Sequence, residues 1–302
     1  MRDLLDRLRG GLRGSVLGAE EACELLLVAL LGRGHALVTG APGLGKTSLA
    51  RRLAGAVGGE FRRVQFTPDV LPADILGYHL YRQDRGEFEF IRGPVFSHIL
   101  LADEINRSSP RTQAALLEAM NERQVTIDGE THALPEPFFV VATQNDTSSA
   151  GTFPLPEAQL DRFLVSIPMS LPDEEVQLEI LRLHAAGGEP GEAGSLLEMA
   201  DLQRLQAAVT QVTVGANLQG YLLALCQEVR RLSGHEHSVS VRACLAVQRA
   251  AQAAAVLEGA EDVLPDHVQF VFPHVLRHRL LSEEIPDPEA LLQAALAGVP
   301  VP

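Results

Sequence analysis

Short apolar runs alternate with helix-like segments over the first half of the chain, and each run ends in polar or glycine residues. Segments with apolar residues three or four positions apart lie between the runs, for example at 112–123. Strands that alternate with helices indicate a parallel sheet covered by helices. The runs have the length and composition of buried strands, and they lie at 35–39, 61–66, 96–102, 138–143 and 165–167.

The pattern changes after residue 172, where every remaining periodic segment has helical spacing. Leu218, Leu222 and Leu225 belong to the clearest of these segments, at 218–232. The residues up to 34 are also predicted to be helical. The sequence therefore predicts an α/β core over residues 1–172 and a smaller all-helical lid domain over 173–302. The further helices are predicted at 174–184, 201–209, 241–258 and 266–280.

Two segments inside the core alternate with a period of two and read as hairpins. Residues 78–81 and 87–91 alternate on either side of a polar turn. Residues 125–127 and 131–134 flank Asp128-Gly129, a strong hairpin signal. The sequence predicts hairpins near 78–91 and 124–134.

The most informative motif follows the first predicted strand. Residues 40–47 read Gly-Ala-Pro-Gly-Leu-Gly-Lys-Thr and fit G-x-x-x-x-G-K-[ST], the phosphate-binding loop. A strand before the loop and a helix after it are the context that this motif requires. Backbone N–H groups and the helix N-terminus would bind phosphates, while Lys46 would reach the β- and γ-phosphates. The predicted nucleotide ligands are Gly40, Pro42, Gly43, Leu44, Gly45, Lys46, Thr47 and Ser48.

A pair of carboxylates follows a second apolar run. Asp103 and Glu104 stand where a P-loop ATPase places one carboxylate on the metal and another on the attacking water. Thr47 and Asp103 are therefore the predicted Mg²⁺ ligands, and Glu104 is the predicted catalytic base. Asn145 follows a further run and could bind the γ-phosphate or the water. The predicted cofactors are ATP and Mg²⁺.

Composition limits the function classes. The net charge of −14, from 25 basic and 39 acidic residues, argues against a broad duplex-binding face. The three cysteines, Cys23, Cys226 and Cys244, are isolated on predicted helices and read as buried free thiols. Charges interrupt the first residues, unlike a signal peptide, and the longest apolar run, 25–31, is about a third of the ~20 residues that a membrane span needs. We therefore expect a cytoplasmic protein.

These motifs together resemble the MoxR family of AAA+ ATPases, over nearly the whole chain. The resemblance implies a P-loop α/β core with a helical lid, and Mg²⁺-dependent ATP hydrolysis. The matching segments are residues 40–47, 65–69 (Gln-Phe-Thr-Pro-Asp), 93–96 (Gly-Pro-Val-Phe), 101–107 (Leu-Ala-Asp-Glu-Ile-Asn-Arg), 114–120, 142–145 (Ala-Thr-Gln-Asn), 153–163 and 275–280.

The resemblance also implies roles for single residues. Asn145 would be sensor 1, Arg162 the arginine finger that reaches the neighbouring subunit's nucleotide, and Arg242 the sensor 2 arginine. Val241 replaces the proline usual before that arginine. Whether Arg242 acts on its own nucleotide or on its neighbour's stays open. Gln65 is a weaker candidate for tuning Glu104.

At the level of the assembly, the resemblance implies a hexameric ring in which both hairpins face the central pore. Hydrolysis would move the lid against the core and drive remodelling, maturation or metal-cofactor insertion of a protein client. A von Willebrand A-domain protein is the implied partner. Two alternatives stay open: a nucleic-acid-associated ring motor, and a nucleotide-gated scaffold with little hydrolysis. Arg107 and Arg123 are expected to be solvated or to form structural ion pairs.

Overall fold

The computed structural model describes residues 2–13, 17–145, 151–185, 195–281 and 285–302. Five parallel strands form the central sheet in the order β2-β5-β8-β1-β9, and two antiparallel hairpins, β3–β4 and β6–β7, form separate two-stranded sheets. The strands are β1 (Ala36–Thr39), β2 (Phe61–Gln65), β3 (Gly77–Arg82), β4 (Glu87–Arg92), β5 (Ile99–Asp103), β6 (Gln124–Ile127), β7 (Glu130–Ala133), β8 (Phe139–Gln144) and β9 (Val165–Pro168).

The helices cover the sheet and make up the second half of the chain. They are α1 (Arg2–Arg13), α2 (Glu20–Leu31), α3 (Lys46–Val57), α4 (Pro72–Leu76), α5 (Pro110–Glu122), α6 (Glu157–Leu160), α7 (Glu174–Ala185), α8 (Met199–Val209), α9 (Ala216–Ser233), α10 (Val241–Glu258), α11 (Pro265–Leu276) and α12 (Pro288–Gly298). Short 3₁₀ turns lie at Ile105–Arg107 and Arg277–Arg279.

Alternate side chains of the strands feed two apolar cores, one on each face of the sheet. Val38 belongs to the core that also contains side chains of α1, α2, α3 and of α8 to α12. Leu37, the preceding residue, belongs to the core formed with α4, α5 and the second hairpin. Helices α8 to α12 therefore share one continuous core with the first three helices.

The first helices are fastened to a distant part of the chain. Arg9 donates three hydrogen bonds of 2.7–3.0 Å to the Glu24 carboxylate, which joins α1 to α2. Its Nη1 also donates to the Leu257 carbonyl at the end of α10, at 3.0 Å. This partly buried arginine thus ties α1 to both α2 and α10.

The two hairpins contact each other. His79 Nδ1 lies 2.8 Å from Asp128 Oδ2, and the rings of Phe90 and His132 stack with centroids 4.2 Å apart. One polar and one aromatic contact therefore link β3–β4 to β6–β7. Both hairpins occur where the alternation predicted them.

The α/β fold with a parallel sheet is confirmed, with three corrections to its elements. The strand predicted at 96–102 starts at Ile99, because Ser97 Oγ bonds back to the Pro94 carbonyl and pairing with β8 begins only at Ile99. The last long helix ends at Leu276 instead of 280. Helix α12 was not predicted, although Asp287 caps it and proline occupies its first position.

Candidate nucleotide site

Residues 40–47 form a glycine turn between β1 and α3. Gly40, Gly43 and Gly45 have φ of 142°, 86° and 86°, a range that favours glycine. A Cβ at Gly40 would lie 2.3 Å from the Met169 carbonyl oxygen, so no other residue fits there without displacement of the backbone. Pro42 and Gly43 are exposed, Leu44 and Gly45 are partly exposed, and Ser48 lies exposed in the first turn of α3. The loop therefore has the conformation and the access that phosphate binding needs.

Lys46 is the first residue of α3 and is only 7% exposed. Its Nζ donates to the Gly40 carbonyl at 2.6 Å, to the Gln144 carbonyl at 3.2 Å and to Asn145 Oδ1 at 2.7 Å. The ammonium group is thus held between the phosphate loop and the end of β8.

Asp103 ends β5 beside the phosphate loop. Its Oδ2 accepts from Thr47 Oγ1 at 3.2 Å and from Arg63 Nη2 at 2.7 Å, while Oδ1 accepts from Thr143 Oγ1 at 2.5 Å. Burial raises the pKa of Asp103, but the hydrogen bonds from Thr143 and Arg63 outweigh it and hold the pKa below its ordinary value. The carboxylate is therefore charged at neutral pH.

Glu104 follows β5 with φ 56° and ψ 49°, a left-handed conformation that is uncommon outside glycine. Its backbone N–H donates to Thr143 Oγ1 at 2.9 Å, which fixes this turn. Its Oε1 accepts from Asn145 Nδ2 at 2.7 Å, and its Oε2 accepts from Gln65 Nε2 and Arg107 Nη1, both at 3.0 Å. The weak candidate Gln65 thus contacts Glu104, and the ion pair expected for Arg107 is formed with Glu104 itself.

Asn145 connects the two charged groups. Its amide oxygen accepts from Lys46 and its amide nitrogen donates to Glu104, so one side chain bridges the phosphate loop and the end of β5. Asn106 Nδ2 donates to the Asn145 carbonyl at 3.1 Å and holds its backbone. The structure brings together residues from the ends of β1, β5 and β8, which were predicted separately.

Two residues that contact Asp103 were not predicted. Arg63 lies on β2, two positions before Gln65 and therefore on the same face of that strand. Thr143 lies on β8 within the Ala-Thr-Gln-Asn segment, and its hydroxyl serves both Asp103 and Glu104. The spacing of Arg63 and Gln65 was the available signal, since both precede the end of a strand beside the predicted site.

Arg242 contacts Asp161, the residue before Arg162, and among the described residues neither arginine bonds to Lys46, Asp103 or Glu104. Among the described residues, none forms a hydrogen bond or ion pair with the half-buried Arg162 guanidinium. The preceding residue, Asp161, is held by Arg279 Nε at 2.8 Å and by Arg242 Nη1 at 3.4 Å. Arg242 itself is exposed, and Ser240 caps its helix through a 3.1 Å bond from the Ala243 N–H.

The sequence also did not predict the role of Arg279, which holds the Asp161–Phe163 loop. This buried arginine also donates to the Phe163 carbonyl at 2.8 Å, and the neighbouring His278 bonds the same carbonyl at 3.1 Å. These bonds explain why α11 ends at Leu276: the next residues turn inward as a 3₁₀ segment to hold the Asp161–Phe163 loop.

Comparison with known proteins agrees with this geometry. A family model for the ATPase family associated with various cellular activities (AAA) matches residues 35–165, and an AAA lid-domain model matches 234–295. Chaperone MoxR1 of Mycobacterium tuberculosis is 41% identical, over 95% of this chain and 79% of that protein. Protein MoxR of Paracoccus denitrificans is 34% identical, over 96% of this chain and 94% of its own. The chain belongs to the MoxR family of AAA+ ATPases.

A solved structure supports the same assignment for this MoxR-family chain. A crystal structure from Cytophaga hutchinsonii, provisionally identified as an ATPase, superposes with a TM-score of 0.89 at 35% identity. It covers 100% of this chain, and 96% of that chain is covered in turn. The predicted family and fold class are confirmed, and nucleotide binding follows from the family.

The donor atoms at the site of this MoxR-family chain fit a hard divalent cation. Thr47 Oγ1 and Asp103 Oδ2 are oxygen atoms 3.2 Å apart, beside the phosphate loop. Mg²⁺ is commonly bound by one or two such protein oxygens together with substrate phosphates. Arg63 shares the same carboxylate oxygen, so a cation there would compete with a guanidinium.

Among the helices of the described residues, none combines the length and the apolar composition needed to cross a membrane.

Proposed function

We propose that this MoxR-family chain hydrolyses ATP with Mg²⁺ at a site completed by a neighbouring copy in a ring. The observation that carries the proposal is the hydrogen-bonded series Lys46–Asn145–Glu104, with Thr47 and Asp103 beside it. It aligns a phosphate-binding cation, a polar relay and a carboxylate along the ends of neighbouring strands. Ligand crevices of open parallel sheets lie at this edge.

Each side chain then has a defined task. Lys46 and the loop N–H groups would bind the β- and γ-phosphates, and Asn145 would position the γ-phosphate or the attacking water. Glu104 would orient and polarise that water and accept its proton. Mg²⁺, bound by Thr47 and Asp103, would neutralise charge on the phosphate oxygens.

We propose that Arg162, as the arginine finger, and Arg242, as the sensor 2 arginine, act together across the subunit border. Arg162 has no partner among the described residues, so its guanidinium is available to a neighbour's nucleotide. Arg242 contacts Asp161, the residue next to the finger. An arginine held beside the finger favours action on the same neighbouring nucleotide, which is the trans alternative for Arg242.

A finger supplied in trans needs head-to-tail contacts, and such contacts close into rings. We propose a hexamer, with the core over residues 1–172 and the lid over 173–302. The further proposals are a cytoplasmic location, remodelling, maturation or metal-cofactor insertion of a protein client, and a von Willebrand A-domain partner.

The first hairpin offers a contact surface for such a client. Tyr81 and Phe88 are 51% and 69% exposed near its turn, and their rings lie 5.2 Å apart. Exposed, paired aromatic side chains are frequent in protein-binding surfaces. If the hairpins line the pore, these two rings would touch the client.

A mixing experiment tests the shared site. Lys46→Ala removes the phosphate-binding cation, while Arg162→Ala and Arg242→Ala remove groups that are proposed to act on a neighbour's nucleotide. Each variant alone should lose turnover. An equimolar mixture of Lys46→Ala with either arginine variant should regain part of it, because some borders then combine an intact loop with an intact arginine.

The matched control is a mixture of Lys46→Ala with Glu104→Gln, in which each substitution disables the nucleotide site of the subunit that carries it. That mixture should stay inactive. Recovery with Arg162→Ala but not with Arg242→Ala would place sensor 2 in cis, and no recovery in either mixture would contradict a shared site. Negligible turnover by the unaltered chain at every protein concentration would reject the proposal of a standalone hydrolase.

A further inference from the structure

Arg162, the proposed arginine finger, precedes strand β9 at the edge of the sheet away from its own phosphate loop. Strand β9 runs parallel to β1, with Val165 opposite Ala36. The Leu164 N–H donates to the His35 carbonyl at 2.8 Å, so the loop before β9 lies beside the start of β1. The phosphate loop follows the other end of β1, about 13 Å away for a strand of four residues. The loop that carries Arg162 is therefore separated from its own nucleotide site by the length of a strand.

Residues on both sides of Arg162 are held by the 3₁₀ segment that follows α11. Arg279 Nε donates to Asp161 Oδ1 at 2.8 Å, and its Nη2 donates to the Phe163 carbonyl at 2.8 Å. His278 Nε2 bonds the same carbonyl at 3.1 Å. Among the described residues, none forms a hydrogen bond or ion pair with the Arg162 guanidinium. The segment thus fixes the neighbours of Arg162 and leaves its side chain available.

Burial distinguishes Arg279 from Arg242 and Arg277. The Arg279 side chain is 7% exposed, whereas those of Arg242 and Arg277 are 77% and 37% exposed. A buried guanidinium is costly unless its donors find acceptors, and those of Arg279 meet the Asp161 carboxylate and carbonyls of the same loop. The planar fork of an arginine holds several acceptors in one fixed arrangement. Arg279 is therefore suited to hold the loop rigidly, whereas exposed Arg242 reaches Asp161 through a longer bond of 3.4 Å.

We infer that Arg279 is a positioning residue for the arginine finger, an inference that rests on the ring ATPase proposed above. By holding Asp161 and the Phe163 carbonyl, it fixes the direction in which the Arg162 side chain leaves the loop. It thereby sets the distance between that guanidinium and the neighbour's γ-phosphate. The 3₁₀ segment belongs to the second half of the chain, so the lid of one subunit controls the turnover of the next subunit rather than its own. Segment 275–280, to which the family resemblance assigned no role, acquires one in this way.

Two variants remove the contact between the segment and the loop. Arg279→Gln removes the guanidinium. Asp161→Asn keeps the shape of its partly exposed partner but removes the charge, and it decides by the same results if Arg279→Gln does not fold. Each should lower the turnover number about tenfold to a hundredfold without raising the KM for ATP, because a small displacement of a catalytic group costs about that much in rate.

Arg277→Gln is the matched control for these kinetics. Arg277 lies in the same 3₁₀ segment, but it pairs with Glu289 of α12 at 3.4 Å instead of with the finger loop. Its replacement should leave both the turnover number and the KM unchanged.

Mixing experiments show on which subunit's site the contact acts. An equimolar mixture of Arg279→Gln with Lys46→Ala should exceed the mean turnover of its two components, because Lys46→Ala subunits then present an intact finger to intact phosphate loops. A mixture of Arg279→Gln with Arg162→Ala should stay at that mean, because both defects lie on the side that presents the finger. Asp161→Asn should give the same two results.

Three results would overturn the inference. One is unchanged turnover in both contact variants, and another is recovery with Arg162→Ala instead of with Lys46→Ala, which would place the effect at the variant's own nucleotide. The third is recovery of a folded contact variant in neither mixture, although Arg162→Ala with Lys46→Ala recovers. If that last mixture does not recover either, the shared site itself is rejected, and the positioning role is rejected with it.

Discussion

Arg63 is the residue whose position has the most direct consequence for the metal. It donates to Asp103 Oδ2, the oxygen that also accepts from Thr47, so metal and guanidinium would compete for one atom. Arg63→Gln should therefore lower the Mg²⁺ concentration needed for half-maximal binding of a fluorescent ATP. The expected change is about three- to tenfold, because a partly exposed charge contributes on the order of 1 kcal/mol.

The neighbouring arginine supplies the control for that measurement. Arg62 lies on the opposite face of β2 and pairs with Glu60 at 2.9 Å. Arg62→Gln should leave the Mg²⁺ requirement unchanged. A requirement that stays the same or rises in Arg63→Gln would show that the guanidinium does not compete with the cation.

Cys244 is predicted to be the reactive cysteine. Cys226 on α9 and Cys244 on α10 are isolated in sequence but lie together in the fold. Cys226 is buried as expected, whereas Cys244 is only half-buried. The hydrogen bond with Cys226 lowers the pKa of Cys244 to about 7, assisted by Arg230, whose Nη2 lies 3.8 Å from its sulfur. Iodoacetamide should therefore modify Cys244 with a rate that rises through pH 7.

Peptide mass mapping after brief alkylation checks this assignment. Cys244→Ser should abolish the reaction near neutral pH, and Cys226→Ala should move its midpoint to higher pH. Preferential labelling of Cys226 would contradict the prediction, because the hydrogen bond with Cys244, burial and the Cys244 charge raise the pKa of Cys226.

The sequence predicted the residues that lie in local motifs and missed those that depend on register. Lys46 lies in the phosphate-loop motif, and Asp103, Glu104 and Asn145 lie at or just after the ends of strands, so a linear pattern reveals them. Arg63 reaches Asp103 only because β2 pairs with β5, with Gln65 opposite Asp103. Arg279 and Asp161 are 118 residues apart, and no local pattern relates them.

At the scale of elements, His35 joins β1, β8 and the end of α5. Its Nδ1 accepts from the Val140 N–H at 3.0 Å, so its Nε2 carries the proton and donates to the Met120 carbonyl at 3.2 Å. Burial, with a smaller contribution from Arg123, lowers the pKa of His35 to about 4. The neutral ring therefore fills both of its hydrogen-bonding roles in the folded protein.

This arrangement predicts a loss of stability in acid. In the unfolded chain His35 binds a proton below its ordinary pKa of 6.5. In the folded protein it binds that proton only at about pH 4. The free energy of unfolding should therefore fall as the pH drops from 6.5 to 4, by roughly 3 kcal/mol in total from this group. Denaturant titrations across that pH range measure it.

The control replaces the imidazole ring of His35 with a side chain that can make the same two hydrogen bonds. His35→Gln offers one acceptor and one donor but does not titrate, so its stability should depend less on pH than that of the unaltered chain. Buried His278, whose pKa also lies well below 6.5, adds its own slope to both proteins. Equal slopes in the two would contradict the role given to His35.

Elements with a strong local signal were predicted, whereas the start of one strand and the end of one helix were not. The hairpins have alternating residues and, at Asp128-Gly129, the turn residues that a tight connection needs. The start of β5 and the end of α11 instead follow from partners elsewhere: β8 for the strand, and the Asp161–Phe163 loop for the helix. Tertiary contacts set these boundaries.

At the scale of the whole molecule, the shared core bears on how the ATPase moves. Side chains of α8 and α10 pack with those of α2 in one continuous apolar cluster. A lid packed in this way would move together with the α/β core of its own subunit, so the larger nucleotide-dependent rotations would take place between subunits. We therefore expect a smaller motion of the lid against the core than the family resemblance implies.

Turnover should consequently depend on assembly. ATP hydrolysis per chain should rise steeply with protein concentration and then reach a plateau as rings complete. Arg162→Ala should lower the plateau about a thousandfold or more, the range measured for fingers in other nucleotide hydrolases, without weakening nucleotide binding. Light scattering on the same samples reports assembly.

Glu104→Gln separates the two effects, since it should assemble and bind ATP but not hydrolyse it. Turnover per chain that is constant from dilute to concentrated protein would contradict a shared site. The fold class could be predicted from sequence because strand and helix patterns alternate so regularly, whereas the common core could not, because it joins helices from both ends of the chain.

The bond from Arg9 to the Leu257 carbonyl also has a consequence for synthesis on the ribosome. The two residues are 248 positions apart, so the partner of α1 is made long after α1 has emerged. At about 5–20 residues per second, the delay is roughly 12–50 s. During that time the apolar stripe of Leu5, Leu8 and Leu12, buried in the finished protein, has only part of its cover. Helix α1 is therefore translated well before α10 but is fixed in place only after α10 has been made.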